Sequence, residues 1–307
     1  MVKMTGVSKS FRNSRFHISN VNLHIPKGYI MGLIGENGAG KTTLLRMLLG
    51  LAKPNKGDIE IFGMDYSNQA SDILEDIGFV MVEDYFPKKL RIGEGADYFG
   101  GYYCKYDKTL MLEKMKQYHL NPKSPYGKLS KGEKLKYQFA FALSHHPKLL
   151  VLDEPTANFD PEFRKDFIKE LTHFVEDGEH SVILATHIME DLEQIGDYIT
   201  FVKEGEILFS MDREELENRY RLLYGEEYLL RNLPKEQLIY IEKGANESWA
   251  LVEHKSWHSY DAQLRVEVPG LNDLFYAFAK IVPARSNLMG EMRHILRNTS
   301  ARSMHRP

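Results

Sequence analysis

The chain has 307 residues, and its hydrophobic share of 43 % and charged share of 27 % are typical of globular domains. A formal net charge of −3 gives no general attraction to nucleic acid, so we expect no nucleic-acid partner. The single cysteine, Cys104, excludes an internal disulfide, and no apolar run reaches the roughly 18 residues that span a bilayer, so we expect a cytoplasmic chain that works at a membrane only by docking onto a partner.

The sequence up to about residue 210 alternates predicted strands and helices. Val21, Leu23 and Ile25 alternate with polar residues, which predicts a half-buried strand. Apolar runs and helical spacing predict the elements that follow, in chain order: strand 29–35, helix 41–52, strand 57–63, helix then strand 71–82, mostly helix 91–120, helix 130–146, strand 148–155, helix 161–177, strand 181–187 and a hairpin 198–210. This alternation predicts an α/β fold with a mostly parallel sheet.

The pattern changes after about residue 215. A charged helix at 212–220 precedes short strand-like pieces and a helix at 270–280. We therefore expect one domain over 1–215, a small accessory domain over 216–283, and a tail over 284–307 that we interpret as disordered or vector-derived.

The stretch GENGAGKTT, residues 35–43, fits the phosphate-loop pattern G-x-x-x-x-G-K-[ST]. It follows a predicted strand and opens a predicted helix, which is the context that the pattern requires. Backbone N–H groups of such a loop surround phosphate oxygens, and the helix N-terminus adds its positive dipole end. We expect Lys41 to reach the β- and γ-phosphates of ATP and Thr42 to ligate Mg²⁺. The predicted nucleotide contacts in this loop are Asn37, Gly38, Ala39, Gly40, Lys41, Thr42 and Thr43.

Two adjacent carboxylates, Asp153 and Glu154, end the predicted buried strand of LLVLDEP (149–155). Asp153 is expected to hold the magnesium shell, and Glu154, pointing the other way from the strand, to polarise a water for in-line attack on the γ-phosphate. His187 ends the next predicted strand, a position that suits a contact with the γ-phosphate.

Together these motifs resemble the ATP-binding subunit of an ABC transporter, over about residues 1–215. Five motifs occur in the family order: GENGAGKTT (35–43), LSKGE (129–133), LLVLDEP (149–155), ANFD (157–160) and His187. The resemblance implies a P-loop NTPase fold of the ABC type, an α/β domain with a mixed sheet core and a helical subdomain over about 84–145, followed here by a small C-terminal α/β accessory domain. It also implies hydrolysis of ATP with Mg²⁺.

In this family LSKGE is the signature motif, and the resemblance implies that it acts on a second copy. Ser130 and the N–H of Gly132 would close on the γ-phosphate held by the partner's phosphate loop, so that two chains, head to tail, sandwich two nucleotides. Asp160 occupies the position where the family passes information between the two sites. Phe11 matches the aromatic residue that stacks on adenine.

One position departs from the family pattern. The glutamine that normally follows a strand such as IGFV is replaced by Val82, which cannot contact magnesium or water. The adjacent Glu83 is a candidate replacement, provided that the backbone shifts slightly.

Two functions of different classes fit the motifs. The first is the motor of a transporter, resembling bacterial exporter ATPases for drugs, antimicrobial peptides or peptide toxins, so the expected cargo is a peptide, a drug or a lipid. It would work on the inner face of the cell membrane, docked on a separate transmembrane permease subunit. It would act there as a homodimer, or as a heterodimer with an unlike ATPase. The second is a soluble or regulatory ABC ATPase in translation, DNA repair, resistance or sensing. One ATPase domain without heptads or a basic stripe favours the transporter.

An unusual density of aromatic residues follows Val82. They are Tyr85, Phe86, Tyr98, Phe99, Tyr102, Tyr103 and Tyr106. About half of them are expected to pack inside the helical subdomain. We expect a helix of the membrane subunit to dock against Tyr85, Phe86 and part of 98–103, because in the resembling family this region receives such a helix.

Overall fold

The structure is a computed structural model. The residues that it describes are 1–12, 16–83, 85–244, 247–255 and 259–281. Contacts divide the chain into two compact units, Met1–Asp212 and Arg213–Pro307. The tail expected over 284–307 lies outside the described residues. Among the helices that are described, none has both the length and the apolar character needed to cross a bilayer.

The first unit contains ten strands and seven α-helices in its described residues. They are β1 (Val2–Ser10), β2 (His17–Ile25), β3 (Ile30–Ile34), α1 (Lys41–Leu48), β4 (Lys56–Ile61), β5 (Met64–Asp65), α2 (Tyr66–Glu75), β6 (Ile77–Val80), α3 (Ile92–Gly100), α4 (Lys108–Gln117), α5 (Lys131–Leu143), β7 (Leu149–Asp153), α6 (Pro161–Val175), β8 (Ser181–Ala185), α7 (Met189–Ile195), β9 (Tyr198–Lys203) and β10 (Glu206–Asp212). The predicted elements are present, with ends that differ by a few residues.

Six strands form the main sheet, in the order β10-β9-β3-β8-β7-β6. Five of them run parallel, and β10 pairs antiparallel with β9 as the predicted hairpin. Every residue of β3, β7 and β8 is buried, as expected for apolar runs in a sheet covered on both faces. Because these three neighbours are parallel, the residues that follow them meet at one edge of the sheet.

A second, antiparallel sheet has the order β2-β1-β4-β5. Val21, Leu23 and Ile25 are buried in a core that also includes Leu44 of α1, so the predicted half-buried strand is confirmed. Strand β1 was not predicted from the sequence. Its pairing with β2 shifts register between Met4 and Val7, which breaks the strict alternation by which a strand is recognised.

Helices α3, α4 and α5 lie between β6 and β7 in the chain. Asp76, which follows α2 and is 8 % exposed, binds the ammonium groups of Lys105 and Lys148. Burial alone would raise the pKa of Asp76, but the hydrogen bonds from the two lysines outweigh it and lower the pKa. This pair of contacts ties the segment before α4 to the sheet. The thiol-bearing Cys104, next to Lys105, is exposed.

The second unit is a small α/β unit. Its described elements are α8 (Arg213–Arg219), β11 (Tyr220–Gly225), α9 (Glu227–Arg231), β12 (Leu238–Glu242), β13 (Ser248–Glu253), β14 (Arg265–Glu267) and α10 (Leu271–Lys280). The strands form an antiparallel sheet in the order β12-β13-β11-β14. Helix α9 was not predicted from the sequence, because five residues are too few to show a helical period.

Candidate active site

The phosphate loop joins β3 to α1 and depends on glycine at two positions. Gly38 has φ 82° and Gly40 has φ 116°, values that favour glycine. A Cβ on Gly40 would also lie 2.7 Å from Ile18 Cδ1 and 3.0 Å from Phe16 Cζ. Gly40 is the N-cap of α1 and brings no side chain to the helix end, which leaves this end open to an anion.

Lys41 points its ammonium group into the centre of the site. Lys41 is 6 % exposed, and its Nζ donates a hydrogen bond of 2.7 Å to the carbonyl oxygen of Gly35. Nζ also lies 3.8 Å from Glu154 Oε1. Burial lowers the pKa of Lys41, and the charges of Glu154 and Asp153 oppose that shift. The loop therefore holds a positive charge where a phosphate would lie.

Thr42 and Asp153 offer an oxygen pair suited to a hard cation. Thr42 Oγ1 donates to Asp153 Oδ2 over 2.7 Å. Asp153 is 4 % exposed, and its Oδ1 is buried without a hydrogen-bond partner in the described part of the chain. Burial raises the pKa of Asp153 against the effect of the Thr42 hydroxyl. A buried carboxylate oxygen beside a hydroxyl fits the oxygen ligands that Mg²⁺ prefers.

Glu154 and His187 meet at the ends of β7 and β8. His187 Nδ1 donates to Glu154 Oε2 over 2.6 Å, and the backbone N–H of His187 donates to the same oxygen over 3.3 Å. An ionised carboxylate can only accept, so Nδ1 carries the proton and Nε2 remains available to another group. Glu154 has φ 47°, a left-handed conformation that is costly for a residue with a side chain and is often found at functional sites.

The segment after Glu154 is fixed by a hydrogen-bond network that the sequence did not predict. Asp191 of α7 is completely buried and accepts hydrogen bonds from Thr156 Oγ1 (2.7 Å) and Arg164 Nε (2.6 Å). These bonds hold the turn Pro155–Asn158 against the helix that follows His187. No sequence pattern linked these residues, because they are far apart in the chain.

The signature residues lie at the start of α5. Ser130 caps this helix in a reciprocal pair with Glu133, with hydrogen bonds of 2.8 and 3.2 Å. A Cβ on Gly132 would lie 2.6 Å from the carbonyl oxygen of Asn158, so the close packing requires glycine. The signature helix therefore packs against the turn that follows Glu154. Ser130 is exposed.

Phe11, the predicted adenine contact, and Val82, which stands in the place of the family glutamine, both lie on the surface. Phe11 follows β1 and is 40 % exposed, with the Lys9 ammonium 5.6 Å from its ring centroid. Val82 is 62 % exposed. The carboxylate of Glu83 binds the guanidinium of Arg46.

An aromatic cavity of about 280 Å³ lies beside β6 in the helical region, which is the part of the chain that carries α3, α4 and α5. Its lining residues are Phe79, Tyr85, Phe86, Phe99, Tyr102, Tyr103, Gln138, Phe141, Ala142 and His145. The ring of Phe86 packs against Phe99 and Tyr137, with centroids 5.2 and 4.8 Å apart. Tyr98, beside the cavity, and Tyr102 are 61 % and 72 % exposed. The cluster thus contains both packed and exposed rings.

Comparison with known proteins identifies the relatives of this chain. The sequence profile of the ABC transporter family matches residues 18–157. The chain is 32 % identical over 223 residues to the bacitracin transport ATP-binding protein BcrA of Bacillus licheniformis, and the alignment covers 72 % of each chain. It is 31 % identical over 220 residues to the lantibiotic transport ATP-binding protein SrtF of Streptococcus pyogenes, covering 71 % of this chain and 93 % of that one.

A solved structure of the ATP-binding cassette MJ0796, a dimer in a post-hydrolysis state bound to ADP and Pi, has a similar fold. The TM-score is 0.63 at 24 % identity, and the match covers 69 % of this chain and 98 % of that chain. At this identity the likeness shows the fold alone. The predicted fold class is confirmed.

We expect Asp153→Asn to stabilise the ligand-free chain by about 1 kcal/mol at pH 7, because it removes a buried charge while keeping the Thr42 hydrogen bond. The pKa of Asp153 is raised in the folded state, so its ionised form costs stability above that pKa, and this cost disappears as the pH falls below the unfolded-state pKa. The advantage of the variant should therefore shrink as the pH falls from 7 toward about 4.

Urea unfolding followed by circular dichroism measures this effect. Asp58→Asn, at an exposed position of β4, is the matched control and should show no advantage at either pH. Equal stability of Asp153→Asn and the parent chain at pH 7 would contradict the electrostatic account.

Proposed function

The chain belongs to the family of ABC transporter ATP-binding subunits, and we propose that it is the ATP-hydrolysing motor of an exporter for antimicrobial peptides or related drugs. The chain is an ATPase of this family, and its relatives include proteins named for bacitracin and lantibiotic transport. The observation that carries the proposed mechanism is the convergence of Lys41, Glu154 and His187 at one edge of the main sheet.

Binding of the triphosphate is assigned to the phosphate loop. The N–H groups of 35–43 and the ammonium group of Lys41 would bind the β- and γ-phosphate oxygens. Thr42 and Asp153 would hold Mg²⁺, which when bound neutralises charge on the phosphates. The buried Oδ1 of Asp153, without a partner in the described residues, supports this assignment.

Glu154 is assigned as the general base. Its carboxylate would accept a proton from a water whose oxygen attacks the γ-phosphorus, while the bond to the β-phosphate oxygen breaks. His187 would hold this carboxylate in place through Nδ1 and offer Nε2 to the γ-phosphate. The hydrogen bond of 2.6 Å between His187 and Glu154 supports this pairing.

The active assembly is proposed to be a head-to-tail dimer. Ser130 and the N–H of Gly132 would complete the site of the second copy, and the exposed position of Ser130 at a helix N-terminus supports this role. Because a homodimer repeats every residue of the site, both nucleotide sites of a homodimer would be competent.

The assembly is proposed to work on the inner face of the cell membrane, on a separate permease subunit. The aromatic cavity, with the exposed ring of Tyr102 in its wall and that of Tyr98 beside it, is the proposed contact. Large aromatic side chains bury much area at low entropy cost, so they commonly anchor protein interfaces. The exposed fractions of 61 % and 72 % support this use for Tyr98 and Tyr102.

Glu154→Gln tests hydrolysis directly. The amide keeps the size of the side chain but cannot accept the proton, so ATP turnover should fall by about 100-fold or more while ATP binding persists. Phosphate release and ATP binding are the two measurements. Turnover at the parent rate would exclude Glu154 as the base.

Mixing two inactive variants tests the dimer. Lys41→Ala removes the phosphate-binding charge, and Ser130→Arg blocks closure by the signature helix. A mixed dimer keeps one site with both parent elements, so an equimolar mixture should recover roughly a quarter of the parent ATPase rate. Mass photometry shows whether mixed dimers form. Mixed dimers without recovery would contradict action across the dimer.

Alanine substitution of the exposed tyrosines tests the contact with the permease. Tyr98→Ala and Tyr102→Ala should reduce capture of the permease subunit or uncouple transport, while the ATPase rate of the free subunit survives. Leu112→Ala is the matched control, because Leu112 is 43 % exposed on α4 and does not line the cavity. Normal assembly and transport by both tyrosine variants would place the contact elsewhere.

A further inference from the structure

We propose that four lysines of the helical region form a contact surface for the anionic headgroups of a lipid bilayer. Lys88 and Lys89 precede α3, Lys123 and Lys128 lie between α4 and α5, and the four are called the lysine patch below. None of these four described residues lines the aromatic cavity. The proposal goes beyond the permease contact, because it assigns to this chain a direct contact with lipid.

The backbone brings the two lysine-bearing segments side by side. The N–H of Gly127 donates to the carbonyl oxygen of Lys88 over 2.8 Å, and the N–H of Ile92 donates to that of Ser124 over 3.0 Å. A Cβ on Gly127 would lie 2.9 Å from Lys88 Cβ, so the two segments are in close contact next to Lys128. Lysines that are distant in the sequence therefore share one surface.

The paired backbone of the patch is fixed by its neighbours. Ile92 and Tyr126 are buried and hold the two segments to the core of the helical region. Pro87 and Pro125 restrict the backbone beside the lysines, because the proline ring fixes φ. All four lysines are exposed. The patch thus presents exposed charges on a backbone with little freedom to rearrange.

The positive charge of the patch is not balanced locally. Residues 86–93 and 121–130 contain five cationic side chains and no aspartate or glutamate. Arg91, the fifth cation, binds Glu94 over 3.3 Å, whereas the four lysines form no ion pair with any residue that the structure describes. Like charges held close together repel, and contact with a negatively charged surface would relieve that repulsion.

The residue type favours lipid headgroups over one bound phosphate or a nucleic acid. The ammonium group of lysine is a hydrated point charge on a flexible stem, whereas arginine binds planar anions in a fixed geometry. Clusters of about four to eight cations at a membrane surface bind anionic lipids in this diffuse way. The four exposed side chains do not enclose a small anion. The net charge of −3 on the whole chain opposes attraction to a long polyanion.

The patch adjoins the proposed contact with the permease. Phe86 lines the aromatic cavity, and its ring packs against that of Tyr126 with centroids 5.4 Å apart. Tyr126 is followed in the chain by Gly127 and Lys128. A permease seated at the cavity would therefore bring the patch close to the surrounding bilayer. Lipid contact would then strengthen the assembly, since two linked contacts raise the effective concentration of each other.

Flotation of the full-length chain with lipid vesicles tests the proposal without a permease. Vesicles of phosphatidylcholine with an equal amount of phosphatidylglycerol should bind the chain, and vesicles of phosphatidylcholine alone should not. Binding should weaken as salt rises, because the Debye length falls from about 10 Å at 0.1 M to about 3 Å at 1 M. Lys88→Gln with Lys89→Gln should lower the affinity by roughly tenfold or more, as should Lys123→Gln with Lys128→Gln.

Two matched controls make the test specific. Lys165→Gln with Lys169→Gln removes the same charge from exposed positions of α6, a helix that also carries acidic residues, and should keep the affinity of the parent. Lys88→Arg with Lys89→Arg retains the charge and should also bind as the parent does. All of these variants should keep the parent ATPase rate, because none of the substituted residues lies in the phosphate site.

The outcomes separate the lipid contact from its alternatives and from the proposed function. A parent chain that does not bind the anionic vesicles, or that binds neutral ones equally, overturns the lipid contact alone, since ATP hydrolysis and permease capture are measured separately. Binding that persists in both glutamine variants of the patch overturns it as well.

Two further results would assign the patch to another ligand and overturn the lipid contact. Release from vesicles by sodium phosphate beyond that by sodium chloride of equal ionic strength would indicate a small-anion site. Binding of duplex DNA that is lost in both glutamine variants of the patch would indicate a nucleic acid. Loss of vesicle binding in both of these variants, with its retention in both controls, supports the lipid contact.

Discussion

The hydrogen bond from Thr42 to Asp153 joins the phosphate loop to the acidic strand end, and the geometry of the site depends on it. It places a buried carboxylate beside the first turn of α1, within reach of the buried ammonium of Lys41. Both groups are held in states that burial disfavours, as their shifted pKa values indicate. Binding of a nucleotide and a cation would stabilise both side chains. The phosphates would supply the negative charge that Lys41 lacks as a partner, and the cation would supply the positive charge that Asp153 lacks.

The surrounding fold fixes the positions of these charged side chains. The strands β3, β7 and β8 are buried at every position, so the residues at their ends cannot move apart without disturbing the core. Asp191 fixes the turn after Glu154, and Glu154 tolerates a left-handed backbone there. The local backbone strain at Glu154 is thus maintained by contacts with α6 and α7.

The sequence predicted the parts of the site that consist of short motifs of neighbouring residues. The phosphate loop, the Asp153–Glu154 pair and His187 each follow an apolar strand, and parallel pairing brings strand ends together without further information. The contacts among Thr156, Arg164 and Asp191, or among Arg46 and Glu83, join residues that are 27 to 37 positions apart, and no period or motif connects such pairs. For the same reason, the number of aromatic residues after Val82 is evident from the sequence, but their environments are not. Phe86 packs against other rings, whereas Tyr102 faces solvent.

The exposed thiol of Cys104 has a practical consequence. It is the single cysteine of the chain, and it lies between Tyr103, whose ring stacks on His145, and Lys105, which binds Asp76. A maleimide dye or spin label would therefore attach at one defined point without removal of any other cysteine. That point adjoins the ion pairs that connect the helical region to the main sheet. A label there would report changes in the surroundings of these ion pairs in a chain that carries no other substitution.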